Sequence, residues 1–87
     1  MKNRSRTEII TTMLESANGR ATKTKIMYSA FLSYNQLKGY LSILIENSLI
    51  EYIERTKTYR ITEKGINFLK MNNEIGELLH ITTIKNE

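Results

Sequence analysis

Apolar residues first recur with a helical period at Ile9, Ile10, Met13, Leu14 and Ala17, directly after Ser5-x-x-Glu8. A Ser followed three residues later by Glu is a capping box, each side chain bonding the other's backbone N–H, so a helix is predicted to open at Ser5. Asn18-Gly19 supplies residues that tolerate a left-handed stop. Thr22 then caps a short second helix over Lys23–Ser29, with Ile26, Met27 and Ala30 turned inward. Ala30-Phe31-Leu32 is a tight connection, and Ser33, with Gln36 three residues on, caps a third helix. Steps of about 100° per residue put Tyr34, Leu37, Leu41, Leu44, Ile45 and Ser48 on one face of it.

After Asn47-Ser48 the period falls to two. LIEYIER (49–55) alternates, TYRI (58–61) is β-prone, and Thr56-Lys57 lies between, which predicts a hairpin. Thr62 caps a fourth helix through EKGINFLKMNNEIGELL. Three helices, a two-stranded hairpin and a closing helix make a mainly α, α+β chain with the order of a winged helix-turn-helix. The expected division is a winged-helix domain over 1–62, a C-terminal helix over 63–80 and a tail over 81–87.

The 87 residues amount to a single domain, without Pro or internal repeat to mark a linker. No Cys is present, so disulfides and thiolate metal sites are excluded. No apolar run approaches a membrane span, and the basic start lacks the apolar core of an export signal, so a soluble, cytoplasmic chain is expected. The net charge of +4 is uneven. Residues 1–60 carry ten Lys and Arg against five Glu, whereas 61–87 carry three Lys against four Glu. A basic body suits a polyanion, although such a charge also serves solubility alone.

The stretches TKTKIMYSAFLSYNQLKGYLSILIENSLI and YRITEKGINFL carry more than a pattern. Their strongest pieces, KIMYxAxLSYxQLxxYL and the wing ending Tyr59-x-Ile61-Thr62-x-Lys64-Gly65, resemble small archaeal winged-helix proteins regarded as predicted transcriptional regulators. One branch of that family consists of ten-kilodalton, dimeric, chromatin-associated DNA-binding proteins. The resemblance spans roughly residues 7–70 and implies double-stranded DNA as partner and a nucleoid-associated homodimer. The family generally has Gly after its recognition helix where this chain has Ser48, so either Asn47 takes the left-handed position or the helix end frays differently. Its dimers are held by a long C-terminal helix, which here reaches only to about His80.

In a helix-turn-helix the second helix of the pair enters the major groove. The candidate groove contacts are therefore Asn35, Gln36, Lys38, Gly39 and Ser42, with Ser33 as a cap that also suits phosphate. Gly39 costs about 1 kcal/mol of helix propensity relative to Ala, which close backbone approach to DNA would justify. The bland alternative is a solvated face with Gln36 spent on its own cap. Lys23 and Lys25, at the start of the second helix, are assigned to phosphates, as are Arg55, Lys57 and Arg60 of the wing. Those wing cations also protect an exposed sheet edge. Tyr34 and Tyr59 are expected in the core, and Lys2, Arg4 and Arg6 in a terminal arm.

On the fourth helix Ile66 and Leu69 are expected to seal the domain, leaving Phe68, Met71, Ile75 and Leu79 as a stripe for a second copy. Nothing points to catalysis. His80 stands alone, Glu51 and Glu54 fall on opposite strand faces, and no metal-ligand spacing or phosphate-cradling loop occurs, so no catalytic residue, metal or cofactor is expected. The runner-up function is a winged-helix module that binds a protein through the third helix or the wing.

Overall fold

The computed structural model describes residues 4–73. Helices α1 (Arg6–Ser16), α2 (Lys23–Ser29) and α3 (Tyr34–Glu46) precede strands β1 (Ile50–Ile53) and β2 (Thr58–Ile61). A fourth helix, α4, begins at residue 63 and is helical to 73. Every helix starts where a hydroxyl side chain can take up an unpaired N–H. Ser5 Oγ accepts from Glu8 N at 3.0 Å while Glu8 Oε1 accepts from Ser5 N at 2.8 Å. Thr22 Oγ1 accepts from Lys25 N, and Thr62 Oγ1 from Gly65 N.

The helix ends are as specific as the starts. Leu32 N bonds Met27 O and Phe31 N bonds Tyr28 O at the end of α2. Leu49 N bonds Leu44 O and Ser48 N bonds Ile45 O at the end of α3. Both are Schellman closures, which place the residue after the cap in the left-handed region. Phe31 (φ 54°) and Ser48 (φ 60°) occupy those positions. Asn47 does not, at φ −93°. The closing bond from Leu49 fixes which residue must turn, and it falls one step later than Asn47. After α1 the positive φ values belong to Gly19 and Arg20, not Asn18.

Between these helices lies the core. Met13 and Leu14 of α1, Ile26 of α2, Leu37 and Leu44 of α3 and Ile50 of β1 are essentially inaccessible, with Ile9, Ala17, Ala30, Leu41, Tyr59 and Ile61 around them. Each large apolar side chain so buried contributes about 1.5–3 kcal/mol against the chain's lost freedom. The hairpin is antiparallel, pairing Ile50 with Ile61 and Tyr52 with Tyr59. β1 is shorter than the alternation over 49–55 predicts, because Leu49 is taken by the closure of α3 and Glu54–Lys57 form the turn. Lys57, at φ 56°, ends that turn with its N–H on Glu54 O. The base of β2 is bound on its other side too, by paired bonds between Ala21 and Tyr59 of 2.9 and 2.8 Å.

α4 closes the domain by a face that differs from the expected one. Gly65 packs against Leu49 O and the Ile61 side chain, Phe68 and Leu69 pack on the core, and Asn72 Nδ2 donates to Thr11 Oγ1 of α1 at 3.1 Å. That face repeats at three and four residues from Gly65, which turns Ile66 outward, 43 % exposed. Ile66 therefore does not seal the domain, and Phe68 does.

Candidate nucleic-acid interface

α3 buries Leu37, Leu41 and Leu44 and presents the opposite side to solvent. Asn35, Lys38, Gly39 and Ser42 are all exposed there, as the helical period requires. Gln36 is exposed as well, but part of its chemistry is already used. Its Oε1 accepts from Ser33 N at 2.9 Å while Ser33 Oγ accepts from Gln36 N at 3.2 Å. Ser33 is thus engaged as a cap, and the Gln36 carbonyl oxygen is partly used, whereas its amide NH2 bonds nothing among the described residues.

Tyr34 is not a core residue. It is the first residue of α3, 53 % exposed, and two ammonium groups converge on its ring. Lys23 Nζ lies 5.8 Å and Lys38 Nζ 5.3 Å from the ring centroid. Cation–π attraction offsets part of the repulsion between the two lysines, so the ring holds positive charge from α2 and α3 at one spot. Periodicity places Tyr34 on the Leu stripe, but among the described residues no element covers that stripe at the end of the helix. Lys25 is exposed on the same short helix as Lys23.

The wing divides its cations. Arg55 and Lys57 are exposed in the turn. Arg60 instead stands directly across from Glu51 and donates to Glu51 Oε2 from Nε at 2.9 Å and from Nη2 at 2.5 Å. Its charge is balanced within the sheet.

On the other flank of α3, Arg6 of α1 faces Asn35, Gln36, Gly39, Tyr40 and Ile43 across an open groove of about 250 Å³. A Cβ built on Gly39 would meet nothing within 4 Å, so the domain's own packing does not call for glycine there. Arg6, expected in a loose arm, is the first residue of α1 and one rim of the groove. Arg4 donates from Nη2 to Phe31 O at 3.2 Å, and the Phe31 ring is 80 % exposed at the α2–α3 turn. Of the stripe reserved for a second copy, Met71 is 62 % exposed and Phe68 is half-buried. Ile75 and Leu79 lie outside the described residues.

Two short helices crossing at a Schellman turn, the second with an exposed polar face, and a hairpin wing behind them define an architecture that sequence comparison also finds. A winged helix-turn-helix family model matches residues 3–80. The chain belongs to the winged helix-turn-helix family. Among solved structures this family member is similar to Sso10a-2, a DNA-binding protein from Sulfolobus solfataricus. The TM-score is 0.76 at 24% sequence identity, over 94% of this chain and 92% of that one. That likeness is one of fold. Among curated proteins, none matches the chain in sequence. No helix among the described residues is long and apolar enough to cross a membrane.

Proposed function

We propose that this winged helix-turn-helix chain binds double-stranded DNA as a cytoplasmic, nucleoid-associated transcriptional regulator or chromatin protein, with no catalytic activity of its own. In this reading α3 enters the major groove, where Asn35, Gln36, Lys38 and Ser42 reach base edges, and Arg55 and Lys57 of the wing lie on the backbone. The carrying observation is the convergence of Lys23 and Lys38 on the Tyr34 ring at the start of α3. Such concentrated charge beside an uncharged amide face suits phosphates flanking a readable groove. The dimer is assigned to α4, whose exposed Met71 continues in sequence to Ile75 and Leu79.

A salt titration tests the reading. If Lys23, Lys25, Arg55 and Lys57 each neutralise a phosphate, log K falls against log[salt] with a slope of about −3.6 on duplex DNA. Lys23→Ala should reduce that slope by about one for every sequence, whereas Asn35→Ala should flatten sequence preference. Absence of duplex binding at low salt refutes the proposal. Light scattering addresses assembly, because a mass near 10.2 kDa at working concentration removes the dimer. The exposed aromatic rings of Tyr28 and Phe31 favour, as a second reading, a protein-binding module. That module would bind its partner without a steep salt slope.

A further inference from the structure

The groove between α1 and α3 has a chemical composition narrow enough to select a base. Asn35, Gly39 and Ile43 follow one another at four-residue steps and so form one row along α3, with Gln36 and Tyr40 beside it. The half-buried Tyr40 and Ile43 line it together with Gly39, which has no side chain, and with the exposed Asn35, Gln36 and Arg6. Half-buried apolar side chains beside exposed amides and a guanidinium, along a helix that bears no acidic group before Glu46, fit a base edge that combines a methyl with a hydrogen-bond acceptor.

Gln36 sharpens the choice. Its Oε1 already accepts from the Ser33 N–H, so the NH2, unbonded among the described residues, is its stronger remaining group, a donor. A donor in the major groove is accepted by thymine O4, adenine N7 or guanine O6 and N7, and refused by the N4 amino group of cytosine. Of these edges only thymine also carries a methyl, which needs an apolar seat. We infer that the groove over Gly39 seats the 5-methyl group of thymine, with the Gln36 amide donating to O4 and Arg6 holding the adjoining phosphate. Gly39 is then the specificity-determining position, since a side chain at that point would occupy the seat. This inference rests on the DNA-binding reading.

The test compares an alternating dA-dT duplex with the same duplex carrying deoxyuridine for thymidine, which removes the methyl and leaves every hydrogen-bonding group in place. Affinities are measured by fluorescence anisotropy at one low salt concentration. The wild-type protein should bind the thymine duplex about fourfold more tightly for each methyl engaged, the factor that corresponds to burying one methyl-sized group. Gly39→Ala, which folds without a clash, should bring the two affinities together. Lys57→Ala should weaken both and keep their ratio. Equal wild-type affinities for the two duplexes overturn the inference while leaving DNA binding intact. An unchanged ratio in Gly39→Ala overturns it as well, by placing the methyl elsewhere. Binding to neither duplex overturns both this inference and the function it rests on.

Discussion

Two glycines in helices should respond to the same substitution with opposite signs. At Gly39 an added Cβ meets nothing within 4 Å. Gly39→Ala therefore gains the helix propensity difference of about 0.8–1 kcal/mol with no packing penalty. In a domain of this size that raises Tm by about 4–8 °C. At Gly65 the added Cβ would overlap the Leu49 carbonyl oxygen and stand 2.6 Å from Ile61 Cγ1. The Leu49 carbonyl is not free to retreat, because it accepts from Thr62 N at 3.1 Å where the hairpin meets α4. Overpacking of this kind costs about 1–3 kcal/mol, and weakening that hydrogen bond adds about 1 more. Gly65 lies in the first turn of α4, where propensity returns little. The net loss is about 2 kcal/mol or more, a fall in Tm of about 8–16 °C. Urea and thermal unfolding followed by far-UV circular dichroism measure both, with the urea slope checked for constancy. Shifts of the same sign in the two variants, or any gain in stability from Gly65→Ala, would refute the packing argument.

Two further outcomes follow from local geometry. Phe31→Asn should raise stability by about 1 kcal/mol, since Phe31 holds φ 54° and loses only an exposed ring, while Asn tolerates that conformation; a lower melting temperature would mean that the ring is held by contacts. Glu51→Gln should cost less than about 1 kcal/mol, as befits an exposed pair. It should also steepen the salt dependence of DNA binding by releasing the Arg60 guanidinium, and an unchanged slope would place Arg60 off the DNA path.

The element order was legible because each helix begins with its own signal. Ser5, Thr22, Ser33 and Thr62 all cap as the residue types predict. The buried faces of α1 and α3 followed equally from their spacing. What periodicity does not contain is which neighbour covers a given stripe. Tyr34 has the angle of a core residue and the exposure of a surface one, because it stands at the end of α3. Ile66 and Phe68 differ by two residues on one helix, and only the close approach of Gly65 to Leu49 and Ile61 decides which of them faces inward. Arg60 was assigned by charge, but the four-residue turn sets a register that puts it opposite Glu51. The groove over Gly39 needed Arg6 from a different helix, so no local pattern could show its second wall.

The bonds between Ala21 and Tyr59 have a consequence for how the protein behaves when crowded. With Ile61 N also donating to Ala17 O at 3.1 Å, β2 is occupied along both sides, by β1 and by the segment after α1. The outer edge of the described sheet is therefore the four residues of β1 alone, with Glu51 charged in their midst. Short, charged edges are poor templates for strand addition by another chain. At high local concentration this arrangement lets the wings of neighbouring molecules stand side by side without fusing into a common sheet.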